Sequence, residues 1–209
     1  MSETEAPESR KTLSQQKRRD AVLAAADRLF HKAGYEAARI EDIAEASGVS
    51  LGTIYNYFGS KGGIMEALIA PMTERMEARG EAILARPPAR LMDAVGALYE
   101  AYRFEDDWKS LQMLQAFDMA ISARDTHLAH VHADYERFIT AQFRRLLEQF
   151  AAAGKLRPEL DIEDAAFLLY RLMLMHFLAY VQGRGLLTYE AMQVDMHRRM
   201  RAMVTGWSP

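Results

Sequence analysis

Apolar residues recur at three- and four-residue intervals along nearly the whole chain, and no stretch of useful length alternates with period two, so the pattern predicts helices and no sheet. Ala21, Val22, Ala25, Ala26, Leu29 and Phe30 form the first stripe, with Ser14 as its candidate N-cap and Gly34 as its stop. A short second helix is expected from about Arg39 to Ser47, carrying Glu41 and Asp42 in its first turn and turning Ile40, Ile43 and Ala44 inward. Gly48 breaks it, and Ser50 caps a third helix through Phe58 that points Ile54 and Phe58 to the core. Ser60 is placed to cap a fourth, from Lys61 to Ala85, with Pro71 as a kink and Pro87-Pro88 as the stop. Further helices are expected over Arg90 to about Arg103, Trp108 to Arg124 and His127 to Ala153, the last closed by Gly154. Asp161 then caps an apolar helix ending near Gly183, and Thr188 caps a final one that fades before Trp207.

The fold class is therefore all-α, with about nine helices. The expected organisation is a disordered tail over 1–12, a three-helix domain over 13–60 and a larger helical domain over 61–209. Within the smaller domain, Ala44, Gly48 and Ile54 stand at the spacing of a helix-turn-helix: a small residue where two helices cross, a glycine in the turn, and a β-branched plug behind the second helix. A purely structural helical corner shares that spacing.

Charge sharpens the choice. The chain has a net charge of −3, yet the segment from Arg10 to Lys61 holds nine Lys/Arg against six Asp/Glu, so the N-terminal region is the better partner for a polyanion. Lys17, Arg18 and Arg19 sit in the opening turns of the first helix, where its dipole disfavours cations, which suits contact with an outside anion as well as simple solvation. There is no cysteine, which rules out disulfides and thiolate zinc sites and is compatible with the expected cytoplasmic location. The acidic, polar start lacks the apolar region of a secretory signal. The longest apolar run, Ala165 to Val181, is interrupted by Arg171 and His176 and is shorter than a membrane span, so a buried interface helix is expected and no membrane.

The string Gly34-Tyr35, Ile43-Ala44, Gly48-Val49-Ser50, Gly52-Thr53-Ile54-Tyr55, Tyr57-Phe58 and Ser60-Lys61 closely resembles the tetracycline-repressor (TetR/AcrR) family, over roughly residues 14 to 70. The resemblance implies a DNA-binding domain whose third helix lies in the major groove, followed by a helical ligand-binding and dimerisation domain. By position, Ser50, Leu51, Gly52, Thr53, Tyr55, Asn56 and Tyr57 would line the recognition helix, with Lys61 opening helix four. Their chemistry suits these roles. Gly52 permits close approach, Thr53 and Tyr55 offer hydroxyls to phosphate, Asn56 can pair bidentately with adenine, and Leu51 can meet a thymine methyl. Lys61 lies at a helix N-terminus, where amides and ammonium can hold one phosphate together.

Two departures from the family pattern stand out. Ala38-Arg39 replaces the usual hydroxyl near position 38, so Arg39 is a candidate for a charged phosphate contact instead. Gly62 and Gly63 replace acidic and helix-forming residues, each at a cost of about 1 kcal/mol in helix propensity, and are expected to be tolerated.

In the larger domain, Tyr99, Tyr102, Trp108, Met113, Phe117, Met119, Tyr135 and Phe138 suit a pocket for an apolar or aromatic effector and equally suit ordinary core. Arg171 and His176, if buried, need partners, either a polar ligand or a carboxylate of the same or a partner subunit. His127, His130 and His132 do not share one helix face and lack cysteine, so no metal is expected. No nucleophile elbow, phosphate loop or dinucleotide fingerprint occurs, so neither catalysis nor a cofactor is expected. The apolar helix from Ile162 to Val181 and the last helix, with Val194, Met196, Met200 and Met203, are candidates for an isologous homodimer interface. The expectation is a dimeric regulator, a repressor by the family's usual habit, that binds a palindromic double-stranded operator and is released by a small molecule. The alternative is a constitutive DNA-binding or architectural dimer without an effector.

Overall fold

A computed structural model describes residues 7–103, 115, 118, 126–183 and 188–208. Among them the chain is all-α: α1 Pro7–Ala33, α2 Ile40–Ser47, α3 Leu51–Phe58, α4 Lys61–Ala85, α5 Leu91–Ala101, α6 Thr126–Ala152, α7 Ile162–Gln182 and α8 Tyr189–Val204, followed by a 3₁₀ turn at Thr205–Trp207. Most of the helix expected over Trp108 to Arg124, including the pocket candidates Trp108, Met113 and Phe117 as well as Met119, lies outside the described residues.

Four of the five hydroxyl or carboxylate caps expected from the sequence close a first turn in the structure. The Ser50 side chain accepts from Thr53 N, that of Ser60 from Gly63 N, that of Asp161 from Asp164 N and that of Thr188 from Ala191 N. Ser14 does not cap α1. The helix begins at Pro7, where a proline's fixed φ and missing N–H suit a first helical position, so residues 7–12 belong to the helix rather than to the tail expected over 1–12.

Packing divides the chain into two units, Met1–Pro71 with Trp108–Val131, and Met72–Asp107 with His132–Pro209. The break falls at Pro71 inside α4 rather than at residue 60. Pro71 has no N–H to give the preceding turn, so the helix loses one of its ladder bonds at that point. The start of α4 belongs to the first unit, whose core joins Val22, Ala26 and Phe30 of α1 to Ile43 of α2, Ile54 and Phe58 of α3, and Ile64, Met65 and Ile69 of α4.

The core of the second unit takes Met76 and Leu84 from α4, Val95, Leu98 and Tyr99 from α5, Ile139, Phe143 and Leu146 from α6, Ala166, Leu169 and Tyr170 from α7, and Met196 and Met200 from α8. Gln142 of α6 is the buried polar side chain among the described residues. Its Nε2 donates to Glu77 O at 3.2 Å and Glu81 Oε1 at 2.7 Å, and its Oε1 accepts the Tyr102 hydroxyl at 2.5 Å. Gly80 admits it, because a Cβ there would stand 2.0 Å from Gln142 Oε1.

At 21 residues α7 is long and apolar enough for a membrane span by length and composition alone. Its Ala165, Ala166, Leu169, Tyr170 and Val181 are buried within the protein. Phe167, Leu168 and Met175 remain exposed on the same helix, and Val194 on α8, whereas Met196 and Met200 are buried within this chain and unavailable to a partner.

Candidate nucleic-acid interface

The α2–α3 corner is built by local geometry before any ligand is considered. Gly48 closes α2 in the left-handed region at φ 67°, which the absence of a Cβ permits, and its N–H reaches Glu45 O. Val49 is buried, Ser50 caps α3, and Ile54 and Phe58 anchor α3 to the core. With positions 54 and 58 inward, 52 and 56 fall on the opposite face of this eight-residue helix and 55 on its flank, while 51 stands at its first turn. All four are exposed, Leu51 at 38 % and Tyr55 at 48 %. A large aliphatic and a large aromatic side chain thus face water from a short, firmly seated helix.

The other sequence candidates divide between that face and its support. Thr53 is half-buried, and its hydroxyl lies 2.9 Å from that of Ser50, so both hydroxyls serve the helix start. Tyr57 is half-buried with its ring edge-on to Phe58. Arg39 occupies the N-cap position of α2 without a side-chain cap bond, is well exposed, and has Nε 3.4 Å from Glu41 Oε2. Arg19 stacks on Phe58, its guanidinium 4.8 Å from the ring centre, whereas Lys17 and Arg18 are exposed.

Lys61 does something the sequence did not signal. Its ammonium donates to Tyr35 O at 2.7 Å, Ala38 O at 3.2 Å and Glu36 O at 3.3 Å, and lies 4.4 Å from the centre of the Tyr35 ring. An ammonium has three hydrogens, so these carbonyls use its full donor capacity and tie the α1–α2 loop to the start of α4. Lys61→Met should therefore lower stability by about 2 kcal/mol through lost charge-assisted bonds. The slope of log affinity against log salt should stay unchanged; a slope shallower by about one unit would restore a phosphate contact.

Gly63 is also more than tolerated. It is buried, its N–H bonds Ser60 Oγ at 3.1 Å, and a Cβ would stand 1.9 Å from Phe58 O. Glycine is required because α3's last carbonyl lies against the first turn of α4.

The pocket candidates of the second unit are mostly engaged within the protein. The Tyr99 hydroxyl donates to Leu169 O at 2.5 Å and that of Tyr102 to Gln142. Arg171 bonds Glu136 Oε1 at 2.8 Å and stacks on Phe167, so the intrachain carboxylate is its partner. His176 faces Leu172 O at 2.7 Å and Asp195 Oδ2 at 3.2 Å, and hydrogen bonds from Arg199 and Arg198 hold the Asp195 carboxyl well below its usual range. The Tyr135 hydroxyl meets the sulfur of Met76 at 3.5 Å. His127 bonds Glu66 at 2.7 Å, and no metal-binding group is present among the described residues.

The family described as bacterial regulatory proteins, tetR family, matches residues 22–68, the stretch that contains the corner and its exposed face. The chain is similar to the HTH-type transcriptional repressor KstR2 of Mycolicibacterium smegmatis, with 26% identity over 70% of this chain and 71% of the relative. It is likewise similar to the repressor KstR of Mycobacterium tuberculosis, with 26% identity over 90% of this chain and 81% of the relative. In fold, it resembles the SmeT–triclosan complex at TM-score 0.73, with 17% identity over 92% of each chain. The family match and the similar relatives agree on this stretch: residues 22–68 form a domain of the tetR family of bacterial regulatory proteins.

Proposed function

We propose that this protein is a homodimeric transcriptional repressor that binds a palindromic double-stranded operator through α3 and is released by a small-molecule effector. The observation that carries the reading is the exposed Leu51, Gly52, Tyr55 and Asn56 face on a helix fixed from behind by Ile54 and Phe58. Leu51 and Asn56 read base edges, Tyr55 and Arg39 contact phosphates, and Ser50, Thr53, Tyr57 and Lys61 hold the frame. A single helix of this length spans few base pairs, so selectivity calls for two copies. The exposed Phe167, Leu168 and Met175 stripe of α7, with Val194 of α8, supports an isologous apolar interface. That the relatives KstR2 and KstR are transcriptional repressors supports the sign of regulation, and the triclosan in the SmeT complex supports a small apolar effector.

Selection from random double-stranded DNA at fixed salt is expected to return a palindrome. Tyr55→Ala should weaken binding similarly across sequences. Asn56→Ala should cost about 1–3 kcal/mol and relax preference at one adenine in each half-site. Recovery of no preferred sequence, with both variants binding as the parent does, would refute the assignment.

A further inference from the structure

Four tyrosines of the second unit, Tyr99, Tyr102, Tyr135 and Tyr170, are placed in or against one apolar core. Two have good acceptors, since Tyr99 bonds a backbone carbonyl and Tyr102 bonds Gln142. The other two do not. Tyr170 has no exposed surface, and its hydroxyl has no hydrogen-bond partner among the described residues. Tyr135 is partly buried, and its hydroxyl has the Met76 sulfur, a weak acceptor, at 3.5 Å. The two hydroxyls are near enough to influence each other electrostatically, and burial pushes both above the usual tyrosine range, so both are neutral O–H donors. A buried donor without an acceptor is disfavoured relative to phenylalanine at the same site, which is a reason to look for a partner that binds from outside.

We propose that Tyr135 and Tyr170 are paired donors for one carbonyl oxygen of an otherwise apolar, uncharged effector. A carbonyl oxygen has two lone pairs and can accept both hydroxyls. Met76 and Phe138, whose ring lies edge-on to Tyr135 at 5.4 Å, supply apolar surface for the body of the molecule. A carboxylate is a poorer fit, because Arg171 beside Tyr170 is already paired with Glu136 at 2.8 Å and Arg79, the cation near Tyr135, donates to the carbonyls of Ala101 and Arg103. The inference rests on the effector-responsive reading above and supplies the chemical class of the effector.

The test uses the full chain and two probes of matched shape, methyl naphthyl ketone and isopropenylnaphthalene, with binding read directly on the protein by fluorescence. The ketone is expected to bind roughly tenfold or more tightly than the hydrocarbon, the gain of two neutral hydrogen bonds. In the Tyr135→Phe/Tyr170→Phe double variant the preference should disappear while the hydrocarbon's affinity stays unchanged. In the ligand-free protein, Tyr170→Phe should raise Tm, since an unpartnered hydroxyl is removed. A fall in Tm, which would mean that a buried water or protein group serves the hydroxyl, overturns the proposal. So does equal affinity for the two probes, binding of neither, or a preference that survives in the double variant. Because binding is read without DNA, failure of operator selection removes the regulator reading separately. Operator release by an effector with no carbonyl preference removes only the anchor.

Discussion

Gly63→Ala is expected to destabilise the DNA-binding unit by about 2–3 kcal/mol, the range for overpacking a closely fitted site. The added methyl would stand 1.9 Å from Phe58 O and 3.0 Å from the Phe58 carbonyl carbon, both backbone atoms of the last residue of α3. No rotamer change relieves a clash between a Cβ and a carbonyl, so α3 must shift or α4 must fray at its first turn. Either movement disturbs the exposed face of α3, and operator affinity should fall with stability. Gly52→Ala is the control. Its Cβ meets nothing within 4 Å, so the substitution should stabilise α3 by about 0.5–1 kcal/mol through helix propensity. If Gly52 serves close approach to the duplex, that variant should be more stable yet bind DNA more weakly. Urea denaturation and operator titration of both variants check the pair, and wild-type stability in Gly63→Ala would contradict the close contact.

Gln142→Ala should cost about 3 kcal/mol, combining a side-chain-sized void with a buried Tyr102 hydroxyl deprived of its acceptor. Combining Gln142→Leu with Tyr102→Phe should recover much of that loss, because both polar partners then leave together. Retention of the full loss would mean that packing against Gly80, rather than hydrogen bonding, sets the energy. The same network carries a pH dependence. Hydrogen bonds from Arg145 and then Gln142 hold the Glu81 carboxyl below its ordinary value of 4.5. A lowered folded value means that this contribution is present above about pH 4.5 and is lost as pH falls through the folded value. Glu81 is 45 % exposed on its side chain, so solvent screening keeps the effect small. Chemical denaturation between pH 6 and pH 3 should show a shallower decline in Glu81→Gln than in the parent.

Periodicity and punctuation made most of the helical organisation legible. Apolar residues three and four apart, Ser50, Asp161 and Thr188 before helices, and Gly48 and Gly154 after them are signals carried within one turn of chain. Position 14 misled because a serine inside a run of helix formers resembles a cap, while Pro7 is an equally valid start. Much of the exposed side of α3 was legible too, since fixing Ile54 and Phe58 inward leaves 52 and 56 opposite and 55 on the flank, whereas the exposure of Leu51 comes from its place at the helix start.

Lys61 and Gly63 show where that legibility ends. A lysine beside a helix N-terminus suits a phosphate when only neighbours in sequence are known. Its three carbonyl partners lie 23 to 26 residues away and become visible only when the α1–α2 loop is folded against α4. Gly63 costs helix propensity in sequence and is required in space. The same division runs through the second unit: tyrosines, Gln142, Arg171 and Met196 are polar or apolar by type, but which is satisfied, which is buried and which is left without a partner depends on distant packing. The sequence by itself determined the helices, the helix-turn-helix and the face that α3 presents, because these follow from short-range sterics and periodicity. Only the tertiary structure decided which charges and hydroxyls are already spoken for, because hydrogen bonds between distant segments depend on a packing that no local pattern encodes.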